Sequence, residues 1–382
     1  MAPVPTPTAT QDAPAVTQGS TPEATRPGSP TPAPTLAATD PPLGAAWEAA
    51  TGLGDADIFD IARGPLGWVA AGTTCDDCDA AAWFSADGLA WSGGAIPNDG
   101  TGTSWVSSVA AHGSAWVAAG GRLEDDGGSA AVSRALIWRS EDGRKWSLAD
   151  SILLGRCLEG CPLIGAVVAG SSCVILSGVQ TIDPDRSSVY WSRDGDDWAQ
   201  VDRAVFKQRP GVGTYVFPTA PTVLDDGRFV LVAQLCGGCG MVWSSMDGLD
   251  WSQGPTLTPD PLRLDVATDG RRVVVVEQAC DDCLTTTWTS ADGRTGWQRG
   301  PTELPILSAH VTYAADRFVV AGKRLPNGVS IFTSPDGAAW TRIDSDLAIG
   351  DCGVADLAGS DDRIIVAADD HCSPAIWVSR AP

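Results

Sequence analysis

Six short stretches of this sequence share one pattern of serine, aspartate, glycine and tryptophan. The first reads Ser85-Ala86-Asp87-Gly88-Leu89-Ala90-Trp91, and the pattern returns at residues 140–146, 192–198, 245–251, 290–297 and 334–340. Its form is S-x-D-G-x-x-W, with one inserted residue in the fifth copy. Successive serines lie 44 to 55 residues apart, a spacing typical of one four-stranded blade of a β-propeller. The repeat therefore predicts an all-β propeller.

Each repeat also predicts its own strands. An aromatic residue stands two positions before each serine, for example Trp83 before Ser85, and two β-branched segments bounded by Gly or Asp lie upstream. We assign these segments to strands a and b, and we expect strand c to end at the serine. The Asp-Gly step forms a turn, because Gly tolerates positive φ and Asp accepts backbone hydrogen bonds. Strand d then begins near the tryptophan, and the tryptophans pack between blades.

A seventh copy of the pattern is divided between the two ends of the chain. Trp377-Val378-Ser379 supplies the end of a strand c, but no tryptophan follows it. Trp47 instead stands just before the first strand a. We therefore predict a seven-bladed β-propeller whose last blade receives its outermost strand from the segment around Trp47. Such closure leaves no open end in the array of blades.

The first 45 residues differ in composition from the rest. Eleven of the 27 prolines fall within residues 1–44, together with many threonines and alanines and no aromatic residue. Such a segment buries too little apolar surface to offset its ordering entropy, so we expect residues 1–45 to be a disordered Pro/Thr/Ala-rich tether and residues 46–382 to be the propeller. Stalks of this kind favour an extracytoplasmic protein, secreted or tethered to the cell envelope, with an export signal or lipid anchor upstream of residue 1. The alternative is a cytosolic protein with a flexible tail.

Charge and hydropathy exclude several classes of partner. The chain has 25 Lys and Arg against 47 Asp and Glu, a formal net charge of −22. Binding to nucleic acid or to an anionic membrane surface requires a basic face, so we expect neither. The uncharged stretch 163–179 is too short and too rich in Gly and Ser for a transmembrane segment, and it reads as two strands around a turn at Gly170-Ser171. We expect a monomer.

The repeated motif resembles the Asp-box, or bacterial neuraminidase repeat, of sialidase-like β-propellers. The usual box is S-x-D-x-G-x-x-W, whereas Asp and Gly are adjacent here, and the resemblance covers residues 46–380. It implies the propeller fold. Sialidases also carry an Arg triad, a Tyr nucleophile with a Glu partner, an Asp acid and an Arg-Ile-Pro motif. This chain has no Arg-Ile-Pro, and Tyr215 is the one tyrosine suitably placed, so the catalytic set is not carried over.

We therefore expect a non-catalytic binding or scaffold propeller and assign no catalytic residue. Its contact with a protein or glycan is expected on the top face, defined as the end that bears the loops from strand b to c and from strand d to the next strand a. The alternative is a sialidase-like glycoside hydrolase acting on envelope or extracellular glycans. An arginine cluster around Tyr215 would favour this enzyme.

Ten of the 11 cysteines fall in loops of the top face. Their short spacings and shared blades predict five disulfides, which suit an oxidising compartment. The C-x-x-C motifs at Cys236/Cys239 and Cys280/Cys283 come from neighbouring blades, and their alternative is a four-thiolate zinc site. Cys173 is the odd residue, expected to be free and buried. The disulfide candidates are Cys75, Cys78, Cys157, Cys161, Cys236, Cys239, Cys280, Cys283, Cys352 and Cys372.

Acidic and polar residues provide the ligand-site candidates. The acidic loop tips are candidates to bind calcium, which is the one candidate cofactor, or a basic partner. The alternative is that they are solvated surface loops. The calcium candidates are Asp76, Asp77, Asp125, Asp126, Asp281 and Asp282. One position of strand a reads Asp60, Ser108, Ala166, Thr222, Asp265, His310 and Asp356 around the ring. These residues form a ligand site if they face the central channel and ordinary packing if they face the next blade. The ligand-binding candidates are Asp60, Asp265, His310 and Asp356, with Trp105 and Tyr215.

Overall fold

The computed structural model describes the propeller and leaves the predicted tether aside. It describes residues 43–74, 79–100, 102–125, 131–157, 163–179, 189–202, 206, 216–235, 239–259, 261, 263–280, 284–324, 328–345, 347, 349, 353–368 and 376–380. The compact unit spans Asp40–Pro382. Within the described ranges every regular element is a β-strand. A search of the same residues finds no helix with the length and apolar character needed to cross a membrane.

Seven four-stranded antiparallel sheets form the predicted seven blades. Blade 1 consists of β2 (Ala56–Gly64), β3 (Gly67–Thr74), β4 (Ala80–Ser85) and β5 (Ser92–Ala95), and blade 2 of β6 (Thr103–His112), β7 (Ala115–Asp125), β8 (Ala131–Ser140) and β9 (Ser147–Cys157). Blade 3 consists of β10 (Leu163–Ala169), β11 (Val174–Val179), β12 (Val189–Ser192) and β13 (Ala199–Gln200). The prediction of two strands within residues 163–179 is thus confirmed.

The remaining blades repeat this order, and the last one uses both ends of the propeller. Blade 4 consists of β14 (Val216–Val223), β15 (Phe229–Leu235), β16 (Cys239–Ser245) and β17 (Trp251–Pro259), and blade 5 of β18 (Arg263–Thr268), β19 (Val273–Gln278), β20 (Thr286–Ser290) and β21 (Gln298–Arg299). Blade 6 consists of β22 (Leu307–Ala314), β23 (Arg317–Lys323), β24 (Val329–Ser334) and β25 (Thr341–Ile343). Blade 7 consists of β26 (Val354–Gly359), β27 (Arg363–Ala368), β28 (Ile376–Arg380) and, on its outer edge, β1 (Glu48–Ala49).

The repeated motif forms the turn between strands c and d. In blade 1 the hydroxyl of Ser85 accepts the N–H of Gly88 at 2.8 Å and donates to the carboxylate of Asp87 at 3.1 Å. Oδ1 of Asp87 then accepts the N–H groups of the two residues after Gly88, and the indole N–H of Trp91 donates to the carbonyl of Gly88 at 2.7 Å. The motif aspartates are therefore occupied as turn formers.

The seventh motif is assembled from two distant segments, which confirms the predicted closure. The N–H of Gly44 donates to the hydroxyl of Ser379 at 2.8 Å, and the indole N–H of Trp47 donates to the carbonyl of Gly44 at 2.8 Å. These two bonds reproduce those of the Ser, Gly and Trp in the intact motif. Leu43 takes the place of the motif aspartate and is buried between blades 6 and 7.

Seven hydrophobic clusters hold the blades together, one at each junction between neighbours. Motif tryptophans pack into them, as expected from the sequence. At the junction of blades 1 and 2, for example, Trp116, Trp138 and Trp146 are buried against β3 and β4. Trp47 packs with Trp377 in the cluster between blades 6 and 7. Burial of this apolar area is what fixes the ring and positions its innermost strands.

Candidate functional site

One residue of each innermost strand lies at the same level of the central channel. Six of the seven strands carry a register shift just before this level, and strand pairing then aligns the residues across the blades. We call this set the belt; its members are Asp60, Ser108, Ala166, Ala220, Asp265, His310 and Asp356. Such a register shift is a β-bulge, which changes the direction of the side chains that follow it where the strand lines the channel.

The prediction was wrong for one position of the belt, that of blade 4. Thr222 was expected at this level in blade 4, but Ala220 pairs with Val232 there. The turn between β14 and β15 covers residues 224–228, whereas the equivalent turn of blade 1 has only residues 65–66. The belt residue and its partner in strand b are separated by twelve positions in blade 4, from Ala220 to Val232, against eleven from Asp60 to Ala71, and Thr222 lies two residues beyond the level. Thr222 instead borders the opposite end of the channel.

The belt separates two cavities within the channel. The cavity at the top face has a volume of about 410 Å³, and Phe59, Ser107 and Arg263 line it above the belt. The lower cavity has a volume of about 310 Å³ and is lined by polar groups that include Arg63 and Tyr313. Asp60, Asp265 and Asp356 border both cavities. These carboxyl groups therefore form the floor of the top cavity.

Most polar belt residues accept a backbone N–H from the next blade, and we call these bonds latches. Asp356 Oδ2 accepts from Ile61 at 2.7 Å, which joins blade 7 to blade 1. The other latches join blades 1 to 2, 2 to 3 and 5 to 6: they are Asp60 Oδ2 with Val109 N at 2.7 Å, Ser108 Oγ with Val167 N at 3.1 Å, and Asp265 Oδ2 with Val311 N at 2.9 Å. The belt residues thus line the channel and also bond to the neighbouring blade, and a ligand site at this level stays a prediction.

The described residues show no latch at the other three junctions, and the residues present differ at each. Between blades 3 and 4, Ala166 offers no acceptor, and the residue opposite is Pro221, which has no N–H to donate. Between blades 4 and 5, the N–H of Val266 bonds to the adjacent Asp265 instead, at 2.8 Å. Between blades 6 and 7, the belt residue is His310, whose imidazole lies near the carboxyl groups of Asp265 and Asp356 instead.

His310 lies between two carboxyl groups of the belt. Its Nδ1 is 3.6 Å from Oδ2 of Asp265 and 3.9 Å from Oδ1 of Asp356. The three side chains are 19% to 24% exposed, all toward the channel. Burial raises the pKa of Asp60. Burial, and next the charges of Asp60 and Asp265, raise the pKa of Asp356 well above its usual range.

The remaining ligand candidates lie apart from the belt or outside the described residues. Trp105 was expected just before the innermost strand of blade 2 but lies within β6, where it is half-buried against Gly121. Its indole N–H donates at 3.1 Å to Ser107, which lines the top cavity. Tyr215 lies outside the described residues. Sequence reasoning missed Phe59 and Arg263; their signal was their place one or two residues before a belt aspartate in the same strand.

The calcium and disulfide predictions mostly fall outside the described residues. Asp125 is exposed at the end of β7, while Asp76, Asp77, Asp126, Asp281 and Asp282 are outside the described ranges. The part of the chain that the structure describes holds no cluster of three metal-ligating side chains. Cys280 is disulfide-bonded, and Cys173 is a free, buried thiol. The side chains of the other nine cysteines are outside the described set, so the disulfide pattern stays a prediction.

Comparison with known proteins identifies the fold and no closer relationship. No protein-family model matches the chain, and no curated protein matches it. A mutant of Trypanosoma rangeli sialidase displaying trans-sialidase activity aligns over 90% of this chain and 60% of its own, at 11% identity and a TM-score of 0.53. The WD40 β-propeller domain of Doa1 aligns over 88% of this chain and 97% of its own, at 10% identity and a TM-score of 0.50. The sialidase-like resemblance is thus confirmed at the level of the fold.

Proposed function

We propose that the chain is a non-catalytic binding propeller that contacts a protein or glycan through its top face. The observation that carries this proposal is the top cavity, which is lined by groups of mixed chemistry. Phe59 is 38% exposed at its wall, Arg263 is exposed beside it, and His310 lies at its floor. An aromatic face with a few polar groups aimed at one space is the usual composition of a ligand site.

The hydrolase alternative has less support from the same cavity. Among its described lining residues Arg263 is the sole arginine, whereas the sialidase resemblance implies a triad. The carboxyl groups at the floor accept backbone N–H groups of neighbouring blades, so their hydrogen bonds join the blades of the ring. Similarity of fold to a sialidase at 11% identity carries no activity with it.

Variants of two arginines in blade 5 test this proposal. Arg263 lines the top cavity, whereas Arg271 is exposed in the turn at the opposite end of the same blade. We expect R263A to weaken binding of a glycan or protein ligand at least about tenfold, because an interaction with a charged group contributes roughly 1.5 to 3 kcal/mol. R271A is expected to bind like the unmodified chain. A glycan array identifies the ligand, and calorimetry measures its affinity.

The same variants distinguish the alternative function. We expect no turnover of a fluorogenic sialoside by the unmodified chain. Turnover that R263A abolishes and R271A preserves would establish the hydrolase and contradict the binding proposal. Equal binding by R263A and R271A would place the ligand away from the top cavity.

We also propose an extracytoplasmic location, secreted or tethered to the cell envelope. The composition of residues 1–44 and the paired cysteine spacing support this location. Five disulfides would leave one free thiol, that of Cys173. We therefore expect a thiol assay on non-reduced, unfolded protein to count about one thiol per chain. A count near eleven would contradict the disulfide pattern and weaken the proposed location.

A further inference from the structure

The ring of blades closes where blade 7 meets blade 1, and two carboxyl groups meet at this junction. Asp356 of blade 7 accepts the N–H of Ile61, and Asp60 of blade 1 accepts the N–H of Val109, each through its Oδ2 at 2.7 Å. Ile61 directly follows Asp60 in the chain, so the carboxyl group of Asp356 lies beside that of Asp60 at the same level of the channel. Two ionised carboxylates side by side repel each other, and one proton shared by the pair removes this repulsion.

We propose that Asp60 and Asp356 form a proton-operated clasp that secures the junction at which the propeller closes. With the proton present, the pair is bonded across the junction and both latches are held in place. Without it, two negative charges lie side by side and push blades 7 and 1 apart. The clasp is a property of the ring itself, so it does not depend on the proposed ligand.

The charged groups that face Asp60 and Asp356 determine the pH at which this pair loses its proton. Asp265, from blade 5, is the third carboxyl group of the belt and disfavours a further negative charge. His310, from blade 6, lies between Asp265 and Asp356. The two arginines of the channel lie on either side of the belt, Arg263 in the top cavity and Arg63 in the lower one. These elements and blade 2, which contributes Ser108, surround the pair.

The direction of the pH dependence follows from the raised pKa values. An acid whose pKa is higher in the folded chain than in the unfolded chain binds its proton more tightly when folded. The clasp therefore loses stability as pH rises from the ordinary aspartate value of 3.8 through the raised pKa of the pair. Above that range the loss is complete. The floor of the top cavity then carries one more negative charge.

Amide hydrogen exchange measures the clasp directly in the full chain. We compare protection factors, corrected for intrinsic exchange, at pH 5 and pH 8 for the latched N–H groups of Ile61 and Val109. We expect both to fall about tenfold for each unit by which the pKa of the pair is raised within this range. Gly170 is the internal control, because its N–H donates at 2.9 Å to the carbonyl of Cys173 in the turn of blade 3, away from the pair, and a carbonyl does not titrate.

Two variants separate the clasp from its neighbours. D356N mimics the protonated form, since its amide oxygen can accept from Ile61 and its NH₂ can donate to Asp60. We expect D356N to keep the protection of Ile61 and to remove its fall with pH. H310Q is expected to retain that fall. If the unmodified chain shows equal protection at both pH values, or if the fall persists in D356N and disappears in H310Q, the clasp is wrong. Should D356N not fold, D60N makes the same test.

Discussion

Gly337→Ala is expected to lower the free energy of unfolding by about 3 kcal/mol. Gly337 belongs to the motif of blade 6 and has a φ of +74°, a conformation that alanine adopts at a cost of roughly 1 kcal/mol. A Cβ there would lie 2.3 Å from Cγ2 of Val274 and 3.0 Å from Cγ2 of Thr289 in blade 5. Val274 is fully buried, so it has no free space to move into, and overpacking of a core adds about 1 to 3 kcal/mol.

Gly227→Ala provides the matched control for this substitution. Gly227 has a φ of +84° in the turn of blade 4, but a Cβ there would meet no atom within 4 Å. G227A therefore bears the backbone cost alone, about 1 kcal/mol. Urea unfolding of the two variants measures the difference. Equal losses would mean that the motif glycines are required for turn conformation alone and not for contact between blades.

The architecture followed from the motif because each residue type in it has one physical task. Ser85, Asp87 and Gly88 satisfy the backbone of one turn, and Trp91 fills the space between blades. A count of these turns gives the count of blades, and the missing tryptophan locates the closing strand. The same local rules could not reveal Leu43, which replaces the motif aspartate, because its environment is formed by blades 6 and 7 rather than by its sequence neighbours.

The candidate site was predictable only in part. The alternation of strand a placed Asp60, Asp265, His310 and Asp356 at one level of the channel, and they do lie there. In blade 4 the level lies at Ala220, one residue further from its strand b partner than in the other blades, and no repeat pattern encodes this extra residue. The four latches between belt residues and the next blade depend on the spacing between sheets. Sequence could therefore name the polar residues but could not tell that three carboxyl groups hold the ring together.

The largest effect is expected from removing the segment that completes blade 7. A chain that starts at Thr51 lacks Leu43, Gly44, Trp47 and both residues of β1, whereas a chain that starts at Asp40 keeps them all and begins where the compact unit begins. Leu43 is buried and Trp47 is packed in the cluster between blades 6 and 7. Removing such side chains typically costs about 2 to 5 kcal/mol each, before the lost hydrogen bonds are counted.

The shorter chain therefore loses about 6 kcal/mol or more, comparable with the whole stability of a typical domain, about 5 to 15 kcal/mol. We expect it to be largely unfolded at 37 °C or to aggregate through the uncovered outer edge of β28, since β1 pairs with β28 at Glu48 and Ala49. The chain that starts at Asp40 is expected to melt like the full chain. Thermal melting by circular dichroism, with size-exclusion chromatography, compares the two.

A peptide of residues 40–50 added to the shorter chain tests whether the loss arises at the divided motif. If Gly44 and Trp47 act by completing the turn at Ser379, the peptide raises the melting temperature with the logarithm of its concentration once it is in excess, because it binds the folded ring alone. The same peptide with Trp47→Ala is expected to fail, since the indole donates to both Gly44 and Ser345. Melting of the shorter chain at the temperature of the full chain would show instead that three strands suffice for blade 7.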